Sequence, residues 1–379
     1  MPMEEKEQTS ALQLPQEWKR ELRRLPWLLL IPFGVILPTY LSRFPDTVER
    51  LYCHGLYPLL SGIIQTLTGF FPFSLAEWIL YTLVIGVPVL IFLSFTRVLL
   101  RRIRWSRFVH LLLTLLIIAG IMLNAFYVLW GLNYSRATLG SQLSLDVRER
   151  SVEELEGMCF SLAQQAVVLR ERVQEDDRGV FTLPDGISAC LRRIPSAYQR
   201  LSQFLPQFSG KAARPKQVFA SKGMSWGGIS GIYIPFTAEP NVNTDQPVLL
   251  IPSSAAHESA HSMGIAREDE ANFAAYLACM ASNDPALEYS GVMLALIHSG
   301  NELYRESPKK YAALYSSYSA GMLRDLMDYD AYWDKFEGPV EKTVNKVNDG
   351  YLKYNRQAEG VKSYGEMVDL LLAWYEKQI

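Results

Sequence analysis

The chain has 379 residues, enough for a membrane region and one sizeable soluble domain. Its 37 Lys+Arg almost balance its 39 Asp+Glu, which excludes the basic excess of a nucleic-acid binder. Apolar residues make up 49% of the chain but are unevenly placed: residues 25–135 are strongly apolar, and 136–379 read as a soluble domain.

Three uncharged stretches, about 25–42, 78–96 and 108–130, are long enough to cross a bilayer, which takes about 20 residues. The first lies too far from a small-residue cleavage site to be a signal peptide and reads as an anchor. Lys19, Arg20, Arg23 and Arg24 precede the first span; Arg97, Arg101, Arg102, Arg104 and Arg107 lie between the second and third. Basic clusters beside spans stay cytoplasmic, so an even number of crossings separates these two. The first two spans supply that number. Residues 51–76 carry no Asp, Glu, Lys or Arg but are broken by Pro58, Gly62, Gln65, Thr66 and Gly69, and are therefore expected to form an interfacial or re-entrant hairpin. His54 within it reads as an interfacial residue rather than a ligand. The third span then delivers everything after Trp130 outside the cytoplasm.

Residues 1–135 are thus expected to be a tail and membrane region in contact with the lipid bilayer, and 136–379 an extracytoplasmic domain. That domain opens with a capping box from Ser151 to Glu154 and a helical period. DDRGVFTLPDG reads as a loop, and 195–205 as a short helix ended near Pro206. VFAS (218–221), GISGIYIPF (228–236) and VLLIP (248–252) read as short strands. Helices are predicted at about 253–263, 267–281, 285–305, 308–327 and 363–377. A small sheet followed by many helices is an α+β domain. Cys53, Cys159, Cys190 and Cys279 make no CxxC pair, which argues against a structural zinc knot. Cys159 and Cys190 are the pair that an oxidising compartment would allow to form a disulfide.

Two of the five histidines fall in HESAH, residues 257–261. On a helix, His257 and His261 lie one turn apart on one face, where both imidazoles reach one metal ion, and Glu258 projects beside them. Imidazoles plus a carboxylate suit Zn2+, which lowers the pKa of a water to about 7. Glu258 would take the proton of that water as it attacks a carbonyl and pass it to the leaving amine. Two surface histidines on an amphipathic helix would show the same spacing, but the segment follows an expected strand and ends at Gly264, a natural helix-stopping glycine.

The third ligand is less plain. A further histidine six residues after His261 would define another zinc-peptidase class, but Arg267 stands there. REDEANFAAYLA offers Glu268, Asp269 and Glu270 instead. Glu270 shares a helical face with Phe273, Ala274 and Leu277 and is the expected ligand; Glu268 and Asp269 suit an exposed first turn favoured by the helix dipole. Among weaker candidates, GIYIPFTAE (231–239) reads equally as a core strand or as an edge along which a substrate backbone is laid. His298 reads first as an interior histidine and second as an oxyanion stabiliser. Tyr351, Lys353, Tyr354 and Arg356 line a cleft or form a solvated face.

This stretch resembles the membrane-bound gluzincin endopeptidases, in which HExxH is followed by a helix carrying E-A-D. Here that triplet becomes Glu270-Ala271-Asn272, with Asn272 in place of the Asp that supports the ligands. The whole chain more closely resembles a bacterial family known as domain of unknown function 3810. The resemblance is carried by WGLNY (130–134), GIYIPFTAE (231–239), HESAHSMGIAREDEANF (257–273) and VNDGYLKYNRQAEGVKSYGEMVDLLLAW (347–374). It implies a zincin-like domain behind membrane helices and names no substrate. The expected function is a membrane-anchored zinc metallopeptidase of the bacterial cell envelope acting on a peptide or protein substrate. The alternatives are a non-catalytic zinc-binding module, or a zinc amidase acting on cell-wall amide bonds.

Overall fold

A computed structural model describes residues 15–355, 357 and 366–378. The chain is mostly helical with a small sheet, the expected composition, and divides into two compact units.

One unit comprises Ile79–Tyr127 and the described residues up to Tyr40. Three helices are long and apolar enough to cross a membrane: α1 (Gln16–Leu41), α3 (Leu75–Leu99) and α4 (Trp105–Leu129), numbered with α2 (Tyr57–Gly69) between the first two. The few polar groups inside this unit are paired. Arg24 Nη1 lies 3.1 Å from the buried Glu21 carboxylate, and its Nη2 donates to Thr114 Oγ1 at 2.7 Å. Asn124 Nδ2 donates to the Leu30 carbonyl at 2.8 Å.

The second unit joins Leu41–Trp78 to Val128–Ile379. The stretch 51–76, expected to group with the spans, belongs instead with the domain that carries HESAH. Its α2 follows a π-helical segment, Glu49–Leu56. After α4 come α5 (Val152–Arg170), whose Ser151–Glu154 capping box forms as predicted, and α6 (Ile187–Phe204). A two-stranded ribbon, Gln174–Glu175 with Phe181–Thr182, occupies the expected loop between them. The four cysteines are buried free thiols; Cys159 and Cys190 do not pair.

The sheet has three strands, β1 (Lys216–Gln217), β2 (Gly231–Ile234) and β3 (Glu239–Val242), in the order β1-β3-β2, so β2 is an edge. β2 runs antiparallel to β3, pairing Gly231 with Val242 and Ile234 with Glu239. Two predicted strands are absent. VLLIP is instead a 3-10 turn (Val248–Leu250) running into a helix with Pro252 in its first turn, where a missing N–H costs nothing. VFAS gives way to a short helix, Ser221–Trp226. The central strand β3, EPNV, has poor strand formers and was not anticipated. Buried side-chain bonds stabilise it: Asn241 Nδ2 donates to the Glu239 carbonyl two residues back at 2.8 Å, and Glu239 pairs with Lys216.

The core is helical. α7 (Ile251–Ser262) and α8 (Glu268–Met280) pack side by side, with α9 (Pro285–Glu306) across α8 and α5. The predicted helix 308–327 is two, α10 (Pro308–Tyr315) and α11 (Ala320–Trp333), because Ser319 caps a new start by accepting from Met322 N. Two more follow, α12 (Pro339–Tyr354), which the sequence reading did not anticipate, and α13 (Met367–Gln378). Arg356 and residues 358–365 of the C-terminal motif lie outside the described residues.

Candidate metal centre

α7 carries HESAH on the side that meets α8. It ends at Gly264, whose φ of +84° is the left-handed turn glycine adopts freely. A Cβ there would also stand 2.9 Å from the Tyr57 ring. This turn sends the chain back so that α8 begins beside the histidines.

Three acceptor atoms converge. His257 Nε2 lies 3.1 Å from His261 Nε2 and 3.1 Å from Glu268 Oε2, and His261 Nε2 lies 3.5 Å from the same oxygen. All three residues are buried. The far side of each ring is committed. His261 Nδ1 donates to the Ile265 carbonyl at 2.7 Å, which fixes its tautomer, and His257 Nδ1 lies 2.7 Å from Asn272 Oδ1. Both Nε2 lone pairs therefore face the Glu268 carboxylate, an arrangement that calls for positive charge between them.

The donor set fits a zinc ion. Ligands about 2.0–2.2 Å from a tetrahedral zinc stand about 3.3–3.6 Å from one another, close to the separations here. The electrostatics show the same demand. Burial alone would raise Glu268, but His261 and His257 outweigh it and hold the carboxyl well below the usual range. Burial likewise opposes charge on His261, yet Glu268 prevails and lifts the ring to about 9. A divalent cation meets that demand as a proton does.

Glu270, the expected third ligand, is elsewhere. Its Oε1 accepts from the Leu139 backbone N–H at 2.8 Å and lies 3.5 Å from Arg267 Nη1. Burial pushes it up to about 7, with Arg267 working against the shift. The physical reason is that α8 is buried on all sides from Glu270 to Cys279. Sharing a face with Phe273 and Leu277 marks Glu270 as buried, which does not place it against α7. Glu268 and Asn272, one turn apart, occupy the face that does. Glu268 is not exposed in its first turn, and Gln357 Oε1 accepts from its backbone N–H at 3.3 Å. Asp269 is half-buried and takes no part in the three-ligand group.

Glu258 lies beside the ligands and outside the group. Burial pushes its carboxyl up to about 7, against the pull of His257 and His261, and Tyr233 holds it through a backbone N–H. Among the described residues its Oε2 has no hydrogen-bond partner. A buried carboxylate oxygen left open is costly unless something arrives to use it. Gly231 makes room for it: a Cβ there would stand 2.6 Å from Glu258 Cγ and Oε1. Strand β2, an edge, thus runs directly along Glu258. His298 on α9 is held neutral, its pKa lowered to about 4 by burial and then by His257. His54 is exposed and pairs with Glu49 at 2.9 Å.

Three contributors escaped the sequence reading. Trp130 of WGLNY donates Nε1–H to the His261 carbonyl at 3.1 Å and sets its ring edge-on to the His261 imidazole, centroids 5.8 Å apart. Gly231 and Gln357 are the others. A tryptophan at the end of a span reads as an interfacial anchor, so only its contact with α7 reveals the role.

The class that emerges is a buried two-histidine, one-carboxylate centre with a second buried glutamate beside it, in a helical unit bearing a small sheet. The chain belongs to the family described as Protein of unknown function (DUF3810), which matches residues 52–372. No curated protein and no solved structure matches it.

Proposed function

We propose that the protein is a membrane-anchored zinc metallopeptidase, with His257, His261 and Glu268 as ligands and Glu258 as the general base. The observation that carries this reading is the open Oε2 of Glu258 beside three converging ligand atoms. A zinc ion at that centre supplies Lewis acidity, making a water a nucleophile near neutral pH and polarising the carbonyl it attacks.

The chain's own groups do the rest. Glu258, with its pKa brought to about 7, takes a proton from the attacking water and returns it to the leaving amine. Asn272 and the Ile265 carbonyl keep the imidazoles turned toward the centre. The edge of β2 beside Glu258 is where an extended peptide would lie. His298, neutral and electrostatically coupled to His257, suits a donor to developing negative charge on the substrate. The positive-inside rule puts Arg97–Arg107 in the cytoplasm and this centre outside it, where the substrates are peptides or proteins of the cell envelope.

The test is zinc analysis and peptide-library hydrolysis with the full chain and its Glu258→Gln variant. The variant should keep zinc and lose turnover by about 10²–10⁴-fold. Equal turnover in the two proteins would overturn the assignment.

A further inference from the structure

Helix α2 is built inside out. Its buried residues are Tyr57, Ser61, Gln65 and Thr68, spaced three and four apart along one face, and each bears a hydroxyl or amide. Its large outward residues are Leu59, Ile63 and Leu67, between 52% and 61% exposed, followed by Phe70 at 80%; the exposed Thr66 returns its hydroxyl to the Gly62 carbonyl at 2.7 Å. A surface helix in water has the opposite arrangement.

The polar stripe has a definite task. Helix α7 ends with carbonyls that have no partner within the helix. Tyr57 Oη lies 3.0 Å from the Ser262 carbonyl and 3.2 Å from that of His261; Ser61 Oγ and Gln65 Nε2 each donate to Ser262 O at 3.2 Å. The HESAH helix is therefore seated, at its C-terminal end, on the polar face of α2.

We propose that the outward face of α2 is inserted among the acyl chains of the bilayer, making α2 an in-plane membrane helix on which the metal helix is mounted. Three observations select lipid as the occupant. Residues 51–76 themselves contain no Asp, Glu, Lys or Arg, and the cation at their exposed side is Lys211, whose Nζ donates to Thr66 Oγ1 at 3.2 Å on a long stem that can reach headgroup level. Residues 70–74 are the only link from α2 to α3, an apolar helix of 25 residues long enough to span, so the exposed row continues into a membrane segment along the chain. That link itself exposes Phe70, Phe71 and Phe73, side chains suited to the headgroup boundary. The substrates reached by a centre so mounted are chain segments at the bilayer surface, an extension that rests on the peptidase reading; the lipid contact does not.

Because all four native cysteines are buried, Ile63→Cys, Leu67→Cys and, on α5, Val168→Cys can each be labelled with a bimane fluorophore in the full chain. In nanodiscs, lipids carrying a doxyl group should remove most of the emission at positions 63 and 67 and little at 168. Aqueous iodide should do the reverse. Iodide quenching at 63 and 67 equal to that at 168 would overturn the proposal, and so would protection from both quenchers, the mark of a covering protein. A chain that binds no zinc yet shows the expected quenching would defeat the peptidase reading and leave this one standing.

Discussion

Two of the polar clusters buried in the second unit are built differently. Around Asp325 every group is matched. Oδ2 accepts from Arg170 Nε and from Tyr289 Oη, each at 2.6 Å; Oδ1 accepts from Arg170 Nη2 at 3.2 Å and from Phe181 N at 2.8 Å. Arg170 also donates to the Gly179 carbonyl at 2.9 Å and reaches Glu175 at 2.9 Å. Donors and acceptors close on each other, and the cluster ties α5, α9 and α11 together. Around His257, acceptor faces acceptor and a carboxylate oxygen of Glu258 stays open. Burial is equally deep in both, so burial does not mark a functional site. Three converging acceptor atoms beside an open carboxylate oxygen set the second apart, because a closed network leaves nothing for a ligand to complete.

That contrast can be broken, and the largest expected effect is on the metal. Glu268→Ala should abolish zinc retention through size-exclusion chromatography, whereas Glu270→Ala should keep it; the opposite pattern, read by elemental analysis, would restore Glu270 as the ligand. At the closed cluster, Asp325→Ala takes from Arg170 and Tyr289 their buried partner, leaving Arg170 the half-exposed Glu175 as counter-ion, and should cost about 3–5 kcal/mol of unfolding free energy without changing zinc content. Denaturant melts followed by helical circular dichroism would measure it, and a loss under about 1 kcal/mol would mean the cluster is not the closed structural pair described.

Smaller effects sharpen the comparison inside the site. Gly231→Ala drives a methyl group onto Glu258 and should lower peptide turnover by up to about 10²-fold with zinc retained, since small misplacements of a catalytic group are costly. Unchanged turnover would remove β2 from the site. Asn272→Ala should weaken zinc affinity by about 10–100-fold, the usual effect of losing a support to a ligating histidine, and Asn272→Asp should restore it. Competition with a chromogenic chelator distinguishes these, and equal affinity in all three proteins would dismiss Asn272 as a support.

Much of this was legible in the residues. The three apolar stretches, the capping box at Ser151, the helix under HESAH and its stop at Gly264 follow from local patterns that act over a few residues, namely hydropathy, side-chain capping and a left-handed glycine. The sequence by itself determined that two histidines and a glutamate share one helical turn, because a turn of helix is fixed geometry. Only the tertiary structure decided which acid meets them. On a helix buried all round, periodicity separates faces without saying which one a neighbour covers, and the packing of α8 against α7 chose Glu268 and sent Glu270 to Leu139. Strand β3 was hidden for a related reason: it is supported by Lys216, distant in sequence, and by the Asn241 amide turned back on the backbone, and a strand propensity records neither. So was the placement of α2, whose polar face is recognisable as an inner one only once the carbonyls of His261 and Ser262 stand against it.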